Sequence, residues 1–252
     1  MLEVRDLSVQ RGSNFSLNIP HWQVLPGEVR GILGSNGAGK STLLKLLSGE
    51  KAATGCVLLH GRPLEQWAAT ERARHLAVLP QSNSLSFAFT AEEVVSLGLT
   101  PLSQGWRQGR QTVQSMMRAT DCAHLSNSKY PTLSGGEQQR VHLARVLVQL
   151  SQAEREPVLL LDEPTSAQDL GQQHRLMELA RDLAHSEQYC IAAILHDLNL
   201  ALRYADHCML LSHGQTAAAG PPAAVLNSAN IQRHWGYCAS ILTTQCGRTV
   251  IC

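Results

Sequence analysis

Aromatic residues are scarce: Phe, Trp and Tyr make up 4% of the 252 residues. A surface that stacks on successive bases needs such side chains, so a single-strand nucleic-acid platform is disfavoured. Charge of one sign is lacking too. The chain has 21 Lys and Arg against 20 Asp and Glu, a net +1. No basic field marks a polyanion partner, and no nucleic acid is expected as a ligand. No apolar run approaches the roughly 20 residues that cross a bilayer. Ile191-Ala192-Ala193-Ile194-Leu195 is among the longest and is strand-sized. Met1 to Asp6 contain no apolar signal-peptide core. Any work at a membrane is therefore expected to run through a partner. The seven cysteines include no C-x-x-C pair. An odd count without metal spacing predicts reduced thiols in a cytosolic protein, most of them buried as small hydrophobes.

Against these absences stands one dense motif. Gly34-Ser35-Asn36-Gly37-Ala38-Gly39-Lys40-Ser41-Thr42 fits G-x-x-x-x-G-K-[ST]. Glycines let the backbone curl so that several N–H groups point at one phosphate chain. The lysine can reach the outer phosphates, and the Ser41 hydroxyl can ligate Mg²⁺. The flanks suit the motif. Val29 to Leu33 reads as a strand, and Ser41 to Leu47 as a helix whose N-terminus faces the phosphates. A chance Gly-rich turn would lack both flanks, so residues 34–42 are expected to bind a nucleoside triphosphate.

Two further segments carry chemistry. Val158-Leu159-Leu160-Leu161 reads as a strand buried on both faces. Asp162 and Glu163 follow at its end, where ligands bind in open α/β sheets. Two solvated acids ending a strand would be unremarkable alone. Beside a phosphate loop, Asp162 suits holding Mg²⁺ through a bound water and Glu163 suits polarising an attacking water. In Leu133-Ser134-Gly135-Gly136-Glu137, Ser134 and Glu137 form a capping box. Val141, Ala144, Leu147 and Val148 then make an apolar helix face. Capping does not explain two adjacent glycines, which weaken a first turn by about 1 kcal/mol each. Free glycine N–H groups at a helix start make a second anion site.

The surrounding organisation is α/β. Residues 1 to about 30 read as short strands with turns at 11–14 and at Pro26-Gly27. Strands are expected at 54–61, 77–81, 157–161 and 190–195. A helix is expected over 170–184, with Leu176, Leu179, Ala180, Leu183 and Ala184 at helical spacing. From Ser82 the texture changes to a Ser-rich loop (Ser82, Ser84, Ser86). Helical patterns follow at 91–97 and 112–119, with Trp106 in a Gly/Gln/Arg-rich link. The pattern is a parallel α/β core, residues 1–82 and 155–252, carrying N-terminal strands and an inserted helical subdomain, residues 83–154.

Taken together, these segments resemble the ATP-binding subunit of ATP-binding cassette (ABC) transporters. Gly34–Ser41 is similar to the Walker A loop, Leu133–Glu137 to the ABC signature, and Val158–Glu163 to Walker B with its catalytic glutamate. Gln81 stands at the Q-loop position and His196 at the switch histidine. Ser166-Ala167-Gln168-Asp169 resembles the D-loop. The six agree in order and spacing over nearly the whole chain. The resemblance implies a RecA-like P-loop NTPase core that hydrolyses ATP with Mg²⁺. Catalysis would fall to Glu163, His196 and Lys40, metal binding to Ser41, Gln81 and Asp162. It also implies a head-to-tail dimer in which Ser134, Gly135 and Gly136 of one copy close the ATP held by the other. Two copies of a membrane permease would complete the transporter at the cytoplasmic face of the bacterial inner membrane, and a periplasmic binding protein would deliver cargo. Two positions depart from the family. Arg11 stands where an aromatic usually stacks on adenine, a role guanidinium stacking can fill. Gln168 stands where the D-loop usually has Leu.

Finer likeness lies in Pro80-Gln81, Phe87-Ala88-Phe89-Thr90, Tyr130 to Val141, Leu195 to Asp206 and the tail from Val225 to Tyr237. The first four resemble the haemin-import ATPases of Gram-negative bacteria, and the tail resembles the ends of both haemin and cobalamin importers. ATPases for vitamin B12 or ferric-siderophore import are the alternative cargo class, and a non-transport ABC ATPase is the more distant one. The eleven histidines show no H-x-x-x-H or C-x-x-C-H pattern, so they read as scattered surface and core residues.

Overall fold

The computed structural model describes residues 1–11, 15–81, 88–103, 105–166, 168–245 and 247–252. The side chain of Arg11, the turn at 12–14, the Ser-rich loop at 82–86 with Phe87, Ala167 and Cys246 lie outside the described residues.

Paired N-terminal strands β1 (Leu2–Arg11) and β2 (Phe15–Val24) lead into β3 (Glu28–Leu33), helix α1 (Lys40–Leu47), β4 (Thr54–Leu59), β5 (Arg62–Pro63), α2 (Ala69–His75) and β6 (Leu76–Leu79). Three helices follow: α3 (Ala91–Ser96), α4 (Trp106–Ala119) and α5 (Gly135–Leu150). The chain then returns through β7 (Val158–Leu161), α6 (Leu170–Glu187), β8 (Cys190–Ile194) and α7 (Leu198–Tyr204). Strands β9 (His207–Ser212) and β10 (Gln215–Gly220), helices α8 (Pro222–Val225) and α9 (Ser228–Trp235), and the hairpin β11 (Ile241–Thr243) with β12 (Thr249–Ile251) complete it. Ten strands form one sheet in the order β5-β4-β1-β2-β10-β9-β3-β8-β7-β6. Its β9-β3-β8-β7-β6 half is parallel, and β1 pairs antiparallel with β2 and β4.

Burial explains why the central strands are apolar throughout. All of Val158–Leu161 and Cys190–Ile194 is buried. Leu159, Leu161, Ile191 and Ala193 pack on the α6 and α7 side, with Leu176, Met177, Ala180 and Leu200. Val158, Leu160, Ala192 and Ile194 pack on the other, with Leu43, Leu46 and Leu47 of α1. A strand covered on both faces cannot alternate polar and apolar residues. A third cluster, including Val94, Val95, Val113, Met117, Val141, Ala144 and Val148, joins α3, α4 and α5.

Two expectations need correction. Trp106 opens helix α4 and is not in a link. Gln and Arg are good helix formers, Val113 and Met117 are buried one turn apart, and the Arg110 guanidinium lies 5.7 Å from the Trp106 ring four residues back. The helix expected over 170–184 runs on to Glu187 and stops where Gln188 adopts a left-handed φ of 60°. The thiols are less uniform than expected. Cys122, Cys190 and Cys208 are buried, Cys56 is half-buried, and Cys238 and Cys252 are exposed; all six are free. Burial pushes the Cys208 thiol up to about 12, as befits an inert packing residue.

Candidate functional site

Four catalytic-type segments emerge from the same edge of the sheet. Residues 34–39 follow β3, Gln81 follows β6, Asp162 and Glu163 follow β7, and His196 follows β8. These are neighbouring parallel strands, so their C-terminal ends bring distant sequence together. The ends are tied directly: Asp162 N–H donates to the Leu79 carbonyl (2.8 Å) and Leu195 N–H to the Ile32 carbonyl (3.3 Å).

The phosphate loop is glycine-rich for steric reasons that the structure makes explicit. Gly34 has φ 147°, and a Cβ there would lie 2.3 Å from the Leu211 carbonyl oxygen. Gly39 has φ 109°, and a Cβ there would lie 2.8 Å from the Phe15 ring. Gly39 also stands at the N-cap of α1 without a side-chain cap, and no acid occupies the first turn. The leading amides of α1 are thus available to an anion. Lys40 is buried, with Nζ donating to the carbonyls of Gly34 (2.8 Å) and Ser35 (3.1 Å). Burial depresses its pKa, and the charges of Glu163 and Asp162 oppose that. A cleft of about 400 Å³ opens here, lined by Phe15, Asn36, Gly37, Gly39, Lys40, Ser41, Thr42 and Glu163. Ala38 lies behind it in the core.

At the cleft's inner end the acids divide in character. Asp162 Oδ1 is buried without a hydrogen-bond partner among the described residues. Burial raises its pKa, and Glu163 adds to the rise. Such an orphaned carboxylate oxygen beside a lysine suits a hard divalent cation that phosphate oxygens also ligate. Glu163 holds a left-handed φ of 50°. Its carbonyl accepts from Ser166 N–H (3.2 Å) and Ser166 Oγ (3.1 Å), which closes the turn. Gln81 Nε2 donates to Glu163 Oε2. His196 Nε2 lies 2.6 Å from Oε1. Gln81, Glu163 and His196 are therefore one cluster.

The signature is built separately. Ser134 caps α5, accepting from Glu137 N–H (3.4 Å) while Glu137 Oε2 accepts from Ser134 N–H (2.8 Å). Hydrogen bonds from the Ser134 hydroxyl and backbone hold the Glu137 carboxyl below the usual range. Gln138 Nε2 donates to the carbonyls of Tyr130 and Leu133, pinning the approach to the helix. Ser134, Gly135 and Gly136 are not among the residues lining the cleft of their own chain. Among the described residues, the start of α5 does not line the cleft at the start of α1.

The D-loop is partly described. Asp169 caps α6, accepting from Gln172 N–H (2.9 Å). Both polar atoms of the Gln168 amide are buried without a partner among the described residues, and nothing in the structure explains that residue. Phe15 is the cleft residue that motif reading missed. Its signal was slight: a lone aromatic at the start of a strand, only four residues after Arg11 but outside every motif.

Known proteins similar to this chain point to one family. Residues 17–166 match the family described as ABC transporter. The chain is 49% identical to a hemin import ATP-binding protein of Shewanella denitrificans, covering 97% of each. It is 47% identical to one of Vibrio cholerae, covering 95% of this chain and 93% of that protein. Its fold superposes with TM-score 0.75, at 23% identity, on the dimeric ADP- and phosphate-bound cassette MJ0796, covering 88% of this chain and 99% of that one. With its phosphate loop, paired acids, glutamine and histidine meeting at one sheet edge, the chain belongs to the ABC transporter family of ATPases.

Proposed function

We propose that this chain is the ATP-hydrolysing subunit of a haemin importer at the cytoplasmic face of the bacterial inner membrane. The observation that carries hydrolysis is the convergence of Gln81, Glu163 and His196 at the end of the cleft that holds Lys40. The cargo rests on likeness to the haemin-import proteins along nearly the whole chain.

In this reading the nucleotide-binding core is 1–82 and 155–252, and the helical subdomain 83–154 carries the signature and faces a permease. Backbone N–H groups of 34–42 and the Lys40 ammonium hold the β- and γ-phosphates. Phe15 offers the apolar face on which the base rests. Ser41, Asp162 and Gln81 are the groups that would hold Mg²⁺. That ion supplies neutralisation of phosphate charge. Glu163 accepts a proton as water attacks the γ-phosphorus and the bond to the bridging oxygen breaks, leaving ADP and phosphate. His196, paired with Glu163 here, turns to the γ-phosphate and orients the water. Ser134, Gly135 and Gly136 of a second copy, docked head to tail, complete each site. Closure on two ATP molecules switches two permease copies because the closed state binds ATP better. A periplasmic binding protein takes part indirectly.

The test is reconstitution with candidate permeases and binding proteins in vesicles. Haemin with its binding protein is expected to stimulate ATP hydrolysis. Stimulation by vitamin B12 or a ferric siderophore, with haemin inert, would overturn the cargo assignment.

A further inference from the structure

A second cavity, about 680 Å³, lies away from the nucleotide cleft, between α6, α7, the start of α8 and the β11–β12 hairpin. Its volume is within the range of small-molecule sites. Its roof is fastened: Asn199 Nδ2 donates to the Ile251 carbonyl (3.0 Å), and Ile251 N–H donates back to Asn199 Oδ1 (2.8 Å). Leu200, Leu202, Pro221 and Val250 give it apolar walls.

Its polar groups are organised around one buried tyrosine. The Arg181 and Arg203 guanidiniums lie 5.5 and 5.2 Å from the Tyr204 ring, and the His174 ring centroid is 5.7 Å from it. The acids nearby are engaged. Asp197 caps α7 through Asn199 N–H (2.8 Å) and Leu200 N–H (3.2 Å). Glu178 accepts from the Tyr204 hydroxyl (3.3 Å) and lies 3.8 Å from Arg203. Arg181 and Arg248 line the cavity with no ion pair among the described residues.

The tyrosine also fixes the histidine. A carboxylate only accepts, so the single Tyr204 hydroxyl proton goes to Glu178. The Tyr204 oxygen must then accept from His174 Nδ1–H, at 2.8 Å. That tautomer leaves a lone pair on His174 Nε2, which has no partner among the described residues. A supported Nδ1–H with a free Nε2 is the arrangement of a metal-ligating imidazole.

We propose that this cavity binds a metalloporphyrin dicarboxylate, the chemical class of the imported cargo. The apolar walls take the ring, Arg181 and Arg248 take the carboxylates, and His174 Nε2 ligates the iron. The ligand identity rests on the haemin reading above. Because α7 begins two residues after His196, the ligand and the nucleotide site share one helix.

The test is an absorbance titration of the intact protein with haemin, with haemin dimethyl ester, which lacks free carboxylates, as the control. Wild type is expected to bind one haemin per chain saturably, with a shift of the Soret band. His174→Gln, which keeps a donor for Tyr204, should lose the shift and bind about tenfold more weakly. The double variant Arg181→Ala/Arg248→Ala should no longer prefer haemin over its ester. ATP turnover by both variants checks that they fold. Absence of saturable binding by wild type, or the same Soret shift in His174→Gln with the same ester preference in the arginine variant, would overturn the site. If haemin is transported but does not bind here, the cavity proposal fails and the import reading stands. If it binds here but is not transported, the reverse holds.

Discussion

The two regions proposed to face phosphate are built in opposite ways. The region around Lys40 draws on four segments from across the sequence, 34–42, 81, 162–163 and 196, joined through Glu163 and the sheet edge, and buries its lysine and one aspartate oxygen. The signature at Ser134 is local. A capping box and a glutamine anchor hold it at the start of α5, and among the described residues it does not line the cleft. A buried, discontinuous region can hold metal and phosphate by itself. A region with exposed amides and no acid-metal partners can only complete a site supplied from elsewhere. The contrast is the physical reason to expect two chains per pair of nucleotides.

Mutations should separate the two halves. The largest effect is expected from Glu163→Gln, which keeps the hydrogen-bonding shape but removes the base. Phosphate release should fall by about 10²-fold or more with ATP affinity retained; unchanged turnover would remove Glu163 from the chemistry. Lys40→Ala should weaken ATP binding by the isolated chain about tenfold or more, because a charge-assisted hydrogen bond contributes roughly 1.5–3 kcal/mol. Isothermal titration measures it, and undiminished affinity would take Lys40 out of the site. Ser134→Ala should leave that affinity unchanged while lowering turnover, at a cap cost of about 1 kcal/mol in α5. Weaker nucleotide binding by the isolated Ser134→Ala chain would erase the distinction between the halves.

The smallest effect concerns acid. Burial holds His142 of α5, which meets the Tyr130 hydroxyl at 2.7 Å, down at about 4, and His60 likewise. Their ordinary value is 6.5. As pH falls from 6.5 toward 4, the unfolded chain takes up protons that the folded histidines refuse. Stability is therefore retained above pH 6.5 and lost progressively below it. Thermal melts at pH 7 and pH 5 should show this, with a shallower dependence in His142→Gln. An equal slope in that variant would mean the helical block does not contribute.

Legibility in sequence followed the same divide. The phosphate loop, the acids after β7 and the capping box were readable because each is contiguous and its residue types follow from its chemistry. The parallel core was readable because strands buried on both faces are apolar throughout. What escaped was non-local or compositionally weak. Phe15 reaches the cleft only because β2 runs beside the loop. By composition Trp106 sits in a link, because Gly, Gln and Arg dominate its neighbours, whereas burial of Val113 and Met117 and stacking by Arg110 favour a helix. The His174–Tyr204–Glu178 chain joins residues up to 30 positions apart and matches no short pattern.

In the proposed mechanism, Lys40 of one copy and Ser134 of another form one site. Sedimentation velocity on Glu163→Gln, with and without MgATP, measures this. A dimer is expected with MgATP and a monomer without it, and adding Ser134→Arg should return the protein to monomer at the same nucleotide concentration. A Glu163→Gln protein that stays monomeric at saturating MgATP, or an ATP-dependent dimer indifferent to Ser134→Arg, would contradict it.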